Sequence, residues 1–430
     1  MSRIEELIEE FCPDGVPYKE LGEIGSFYSG LTGKSKSDFQ DGNAKFVTYM
    51  NVFSNIAVNT NISDYVKIKG GEKQNQLRQG DILFTGSSET PDECGMSSVL
   101  TKQTSNDLYL NSFCFGFRLN DEDLLLPNFS KYLFRSDSIR KQIIRTASGV
   151  TRFNVSKQKM LKVRIPIPPL SVQEEIVRIL DTFTKLDAEL KIELETRKKQ
   201  YKYYRDKLLT LDKPTGFKYI DQLVAELCPN GVQFQPIGDF AKCIAGATPK
   251  TAISRYWEQG TIPWMSSGEV NKREILDTEA KITEEAYASC STKLVPANTV
   301  VIALAGQGKT RGTVAITRIP LCTNQSLCSV IPNEEVIPDF LFHYLRGQYE
   351  QLRQISSGDG TRGGLNLKMI NAYRVPVPPI QLQEEIVRIL NNLDKLCHDI
   401  SKGLPAEIEA RRKQYEYYRD KLLTFRELEA

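Results

Sequence analysis

The chain repeats itself, and the repeat limits what it can fold into. Ile165–Leu180 (IPIPPLSVQEEIVRIL) matches Val375–Leu390 (VPVPPIQLQEEIVRIL) at 11 of 16 positions, and Glu195–Thr210 matches Glu409–Thr424 at 13 of 16. Cys12-Pro-Asp-Gly-Val16 returns as Cys228-Pro-Asn-Gly-Val232. The period, 210 residues between Ile165 and Val375, is too long for a solenoid and implies two domain-sized halves. A chain of 430 residues has room for two to four domains.

The repeated segments read as long helices. In the first, Ile176, Ile179, Phe183, Leu186, Leu190, Leu194, Tyr201, Tyr204 and Leu208 step by three and four, a coiled-coil seam. Pro168-Pro169 blocks helix upstream, and Lys213-Pro214-Thr215-Gly216 stops it downstream. The second copy runs through Ile386, Ile389, Leu393, Leu396, Ile400, Ile408, Tyr415, Tyr418 and Leu422, and Gly403 with Pro405 should kink or break it. Its middle is four residues longer than that of the first, a one-turn stutter. Two rods in one chain bury their seams most simply on each other. Antiparallel pairing then relates the halves by a pseudo-twofold axis, a geometry suited to a target with two oppositely oriented half-sites.

Between the helices lie two variable segments with a common plan. Each has a Gly-rich start (Tyr28–Gly33; Ala245–Pro249), a buried strand (Gly80–Thr85; Asn298–Ala303) and a further strand (Tyr109–Leu119; Asn324–Ile331). An amphipathic helix follows (Asn128–Thr146; Asp339–Ile355), then a polar loop (Ser148–Asn154; Ser357–Asn366). The expected class is α+β: domains over 1–165 and 213–375, helical spacers over 166–212 and 376–430.

With 56 basic and 54 acidic side chains the net charge is only +2, so nucleic-acid binding would need local patches. Residues 131–164 hold ten Lys or Arg against Asp137 alone. The run flanks a Ser-Gly-x-Thr-Arg loop that recurs in the second half, which points to phosphate and base contact. The candidates are Arg145, Ser148, Thr151, Arg152 and Asn154 in one half, and Lys309, Thr310, Arg311, Thr361 and Arg362 in the other. Lys34, Lys36, Thr248 and Lys250 join them, in or just after the Gly-rich starts. Tyr203 and Tyr417, offset from the helical seams, are candidates for partner contact.

Catalytic motifs are missing or broken. Gly306-Gln-Gly-Lys-Thr310 lacks the first glycine of a P-loop and precedes a strand-like stretch. His343 and His398 are the only histidines and read as structural, and nine cysteines without a C-x-x-C pair supply no zinc site. The same cysteines, an acidic N-terminus unlike a signal peptide and no membrane-length apolar run suggest a reducing cytoplasm. A stand-alone nuclease or P-loop ATPase and a coiled-coil scaffold are the competing readings.

The paired Pro-x-Pro-Pro-Leu/Ile-x-x-Gln-Glu-Glu-Ile-Val blocks, the paired Arg-x-Lys-Gln-Tyr-x-Tyr-Tyr-Arg-Asp-Lys-Leu-Leu helices and the two Cys-Pro-Asp/Asn-Gly-Val openings resemble the specificity subunit of type I restriction-modification systems. Gly246-Ala-Thr-Pro249 with Tyr256-Trp257 and Ile262-Pro-Trp264 resembles the start of a target-recognition domain of that family. The resemblance implies a non-catalytic reader of double-stranded DNA, each globular domain taking half of a bipartite site. It also implies helices that set the gap and dock two methyltransferase subunits, with motor-nuclease subunits joining. S-adenosylmethionine, ATP and Mg would belong to those partners, and this chain would hold no cofactor or metal.

Overall fold

The computed structural model describes residues 3–104, 107–306, 310–356, 364–398 and 403–428. They form two compact units, Met1–Lys191 with Ile408–Ala430, and Ile192–Glu407. The fold is α+β, and the duplication read from the sequence is a duplication of architecture.

In the first unit a four-stranded antiparallel sheet runs Gly25–Ser29, Cys114–Leu119, Ile82–Thr85, Ser97–Val99 in spatial order. A second sheet orders Tyr65–Val66, Ala44–Val47, Leu108–Leu110. Side chains on a strand alternate between faces, and here both faces are covered. Ile82 and Phe84 enter a core with Phe129, Tyr132 and Leu133, while Leu83 between them enters another with Val47, Val52 and Leu110. Continuous apolar runs such as Ile82–Phe84 mark strands covered on both sides. The second unit does the same with Val300–Ala303. Val300 and Ile302 face the helical core, and Val301 and Ala303 face Met265, Val270 and Leu327. Its main sheet has five strands, Ala241–Ala245, Leu327–Pro332, Val300–Ala303, Val314–Thr317 and Glu274–Ile275, the last pair parallel.

Three expected elements are split. The strand expected over Tyr109–Leu119 is two, Leu108–Leu110 and Cys114–Leu119. The Asn111 side-chain oxygen accepts the Phe113 N–H at 2.8 Å, an Asx turn that reverses the chain. The helix over Asn128–Thr146 is Pro127–Leu133 plus Asp137–Ile144, parted where Ser136 takes extended backbone and its hydroxyl donates to Leu133 O at 2.7 Å. Its counterpart divides into Pro338–Gly347 and Tyr349–Ile355 at Gln348.

The first long helix is continuous over the 41 residues Leu170–Thr210. The second is Ile380–His398 and Leu404–Leu422, interrupted where Gly403 and Pro405 predicted a break. Stretches of the two pair antiparallel. Phe183 stacks on Tyr418 at 5.5 Å in the first unit, and Tyr201 meets His398 at 6.0 Å in the second. The seam of the second helix differs from the expected one. Leu382, Ile386, Leu390 and Cys397 are buried, whereas Leu396 is 39% exposed, and Ile400 lies outside the described residues. The buried row steps by four from Leu382 to Asp394 and then by three to Cys397, because there the helix packs against its own domain as well as its partner helix.

The repeated Pro-x-Pro-Pro-x-x-x-Gln block has a shared physical reason. Gln173 is fully buried, accepts the Leu126 N–H at 2.9 Å and donates to Leu124 O and Pro168 O at 3.1 and 2.8 Å. Gln383 does the same with Ile337 N, Glu335 O and Pro378 O at 2.8, 2.8 and 2.7 Å. Proline keeps the preceding residues out of helix, and one amide then satisfies three main-chain groups at the starts of two helices.

One matched position differs in chemistry. Tyr132 donates its hydroxyl to Asp181 at 2.6 Å, beside Tyr415. In the second unit the corresponding residues are His343, Asn391 and Tyr201. The His343 ring bonds Asn391 Oδ1 at 2.7 Å and the Tyr201 hydroxyl at 2.9 Å. Both are packing sites between the helices and their domain.

Candidate nucleic-acid interface

In the first unit the polar loop is a hairpin, Ala147–Ser148 paired with Phe153–Val155, which in turn pairs with Ser87–Ser88. Gly149 at φ +150° makes the tight reversal possible, since a Cβ there would overlap Arg152 O. Ser148, Thr151, Arg152 and Asn154 are exposed on it, and Arg145 is exposed just before it, at the end of the helix Asp137–Ile144. Arg152 is held at Nε by the Ser87 hydroxyl (3.1 Å), so its terminal nitrogens point their donors elsewhere. Gly86 N donates to Phe113 O at 2.8 Å and Val155 N to Gly86 O at 3.0 Å, stitching the Asx turn to the hairpin. Gly30, at the end of the Gly-rich start, passes so close to Asn111 O that any side chain would collide.

These loops and the short helix Tyr49–Ser54 enclose a cleft of about 510 Å³, with Met50, Ser88, Glu89, Glu93, Phe113 and Arg152 on its walls. Met50 is 59% and Phe113 61% exposed. Sequence reading missed Met50, Glu89 and Phe113. Phe113 reads as strand interior unless the Asn111 turn is recognised.

The basic run over 131–164 is not a free cationic face. Lys131 pairs with Asp181, Lys141 with Asp137 and Arg164 with Glu427. Arg140 donates to Asp92 O, Cys94 O and Gly95 O at 2.9, 2.7 and 2.5 Å. Arg135 bonds Ser97 O at 2.7 Å and Phe53 O at 2.9 Å. Burial lowers both guanidinium groups to about 10, so they stay cationic as internal clamps on carbonyls. Arg145, Arg152, Lys159 and Lys162 are the exposed remainder. Lys34 is also committed, to Lys67 O at 2.6 Å and to Glu72, whose carboxyl it helps hold down to about 2. Lys36 is exposed on the turn Lys36–Phe39.

The second unit builds the same cradle. Leu304 N donates to Ser326 O at 2.8 Å and Leu365 N to Leu304 O at 2.9 Å, the counterparts of the Gly86 links. Gly246 abuts Thr323 O as Gly30 abuts Asn111 O. The start of this domain is buttressed by tryptophan. Trp264 Nε1 donates to Ala247 O at 3.0 Å, with Trp257 edge-on at 5.0 Å. Thr248 bonds the Gln325 amide, and Lys250 is exposed while its carbonyl accepts the Trp257 N–H. Thr310 and Arg311 are half-buried in the connection between antiparallel strands Val300–Ala303 and Val314–Thr317. A strand rather than a helix follows Gly306–Thr310, so the phosphate-cradling helix of a P-loop does not follow. Lys309, Thr361 and Arg362 lie outside the described residues. Arg318 is not available either, being bound to Glu274 and Asp339.

Tyr203 and Tyr417 are 53% and 62% exposed, each edge-on to its neighbour, Tyr204 or Tyr418. Lys207 Nζ sits 5.1 Å from the Tyr203 ring. Among the described residues no group of three or more His, Cys, Asp or Glu could hold a metal ion, and no helix is long and apolar enough to cross a membrane.

The chain is similar to known proteins along both halves. A type I specificity subunit of Mycoplasma pneumoniae, described as putative, is 30% identical over 360 residues, 80% of this chain and 90% of that protein. A type I restriction enzyme specificity subunit of Escherichia coli is 37% identical over 279 residues, 63% of this chain; the match spans 65% of the E. coli protein, less than two thirds of its length. The crystal structure of a type I restriction-modification S subunit from M. genitalium superposes with TM-score 0.54 at 17% identity, covering 95% of this chain and 96% of that one. A chain solved in work on complex assembly and conformational transition of the type I system gives 0.60 at 17% identity, covering 96% and 98%. The type I restriction modification DNA specificity domain matches residues 13–196 and again 229–410, and the chain belongs to that family.

Proposed function

We propose that this chain is the DNA-reading subunit of a type I restriction-modification complex. Each globular domain takes one half of a bipartite double-stranded site, and the long helices set the gap between the halves. The observation that supports this most is the cradle built twice from unlike sequences: a glycine crossing (Gly30, Gly246), an Asn turn (Asn111, Asn324) and a main-chain bond that follows the polar loop (Val155 N to Gly86 O, Leu365 N to Leu304 O). Scaffold is repeated while loop chemistry varies, as a pair of readers for different half-sites requires.

Catalysis then resides in partners. Two methyltransferase subunits supply S-adenosylmethionine chemistry, and motor-nuclease subunits supply ATP- and Mg-dependent restriction, all in the cytoplasm. The exposed Tyr203 and Tyr417, on matching turns of the two helices, are the proposed docking anchors, being large, rigid and half-solvated. The hairpin cations give the phosphate contacts. In the complex with its methyltransferase, Arg145→Ala with Arg152→Ala should weaken DNA binding and lower the salt slope by about one to two. Unchanged affinity and slope would overturn the DNA-contact assignment.

A further inference from the structure

We propose that the cleft of the first domain reads base edges in the major groove, with Glu89 accepting a hydrogen bond from the exocyclic amine of a cytosine or adenine and Phe113 covering a neighbouring thymine methyl. The proposal rests on the DNA-reading function above and assigns the part of the half-site that this domain recognises through named side chains.

The cleft is not built for phosphate alone. Its walls hold Arg152 and two carboxylates, Glu89 and Glu93. A carboxylate set against the phosphate backbone meets like charge at close range and gains no hydrogen bond, since both groups only accept. A surface for phosphate alone would carry cations without such acids. Base edges are different. In the major groove, cytosine N4 and adenine N6 are the donors, and acids pair with them.

The two acids are not equivalent. Glu93 is already occupied locally, accepting from the Thr90 hydroxyl at 2.9 Å and the Ser88 hydroxyl at 3.3 Å. Glu89 is exposed, so its acceptor capacity faces outward. Arg152, pinned by Ser87, borders the same space and leaves a guanidinium fork for guanine or an adjacent phosphate.

The apolar wall is the independent observation. Met50 and Phe113 are each more than half exposed, and both line the same cleft. Adjacent exposed apolar groups in a polar cleft mark a binding surface. On duplex DNA the apolar feature of the major groove is the thymine methyl. Phe113 is also rigid. Its N–H is held by Asn111 and its carbonyl by Gly86, so presenting the ring does not require ordering a loop. In the second domain the residue making the matching carbonyl bond, to Leu304 N, is Ser326. That turn carries a hydroxyl where the first carries a ring, so the two domains read with different chemistry.

The test is selection of bound sequences from a randomised duplex library, using the full-length chain with its co-purifying methyltransferase subunits. Glu89→Ala should lower discrimination at one position of one half-site by roughly tenfold, a single base-edge contact, and leave the other half-site unchanged. Phe113→Ala should relax a thymine preference in the same half-site. The untouched half-site controls for folding and assembly in each variant. If Glu89→Ala instead tightens binding to all sequences alike, with both half-sites unchanged, the carboxylate faces the backbone and the assignment is overturned. Selected sequences identical to those of the unmodified chain for both variants overturn it as well. Failure of the unmodified complex to enrich any sequence would overturn the DNA-reading function itself.

Discussion

His343 shows how a single residue type changes meaning between the halves. It occupies the place of Tyr132, is fully buried, and bridges Asn391 and Tyr201. Burial holds its pKa down to about 4, below the ordinary histidine value of 6.5, with Asp339 and Asp394 opposing and Arg346 reinforcing the shift. The folded ring stays neutral where an unfolded one has taken up a proton. Stability is therefore complete above about pH 6.5 and is lost as pH falls toward 4, by up to about 3 kcal/mol. Urea midpoints measured from pH 7.5 to 4.5 should fall, and His343→Gln should flatten the part of the decline that begins near pH 6.5. An equally steep decline in the variant would assign the loss to other groups. Asp394 acts in a lower window: hydrogen-bonded by His398 and ion-paired with Arg273 and Arg346, its pKa lies below the usual carboxylate range despite its burial, so its contribution disappears only as pH drops below about 4.

At the scale of elements, the junction between strand and long helix is the most economical device in the molecule. Gln173 and Gln383 each satisfy three main-chain groups that a helix start and a proline turn leave unpaired. Gln383→Leu keeps the volume but leaves those groups buried without partners. The expected loss is about 3 kcal/mol, with Gln173→Leu alike in the first unit. Guanidinium unfolding of each variant measures it, and a loss under 1 kcal/mol would show that water or a shifted backbone replaces the amide. The sequence pattern announced that these blocks matter, because they repeat, but not what the glutamine does. Its bonds run to residues such as Leu124 and Glu335, almost 50 positions away. The split of Asn128–Thr146 into two helices was hidden for a related reason. The apolar periodicity continues across Ser136, and a serine hydroxyl turned back on Leu133 O is a local choice with no periodic signature.

On the scale of the whole molecule, the 41-residue first helix contributes to both units. Its middle is its least buried part, with Ile192 68% exposed. Few packing contacts there resist a change of length. Inserting a second Asp-Ala-Glu-Leu after Leu190 adds about 6 Å of helix while keeping the seam within roughly 40° of register. Under the proposed function, methylation mapping should return the same half-sites separated by about two more base pairs. Altered half-sites with an unchanged gap would overturn the role of the helix as spacer.

Repeats and periodicities alone carry the duplication, the two long helices with a break near Gly403, the α+β class and the family, because such patterns survive without coordinates. It also marked the Ser148–Asn154 loop by recurrence and charge. Which charges are free depends on packing: Arg135, Arg140 and Lys131 look like a phosphate-binding run, yet are drawn inward to carbonyls and Asp181. The cleft of Met50, Glu89, Phe113 and Arg152 was likewise invisible in one dimension. Its walls come from four separate segments, brought together by strand pairing at Ser87–Ser88 and the Gly86–Phe113 bond. Periodicity reports which face of an element is buried, while a binding surface is made where the ends of several elements meet, and that meeting is set by long-range backbone pairing.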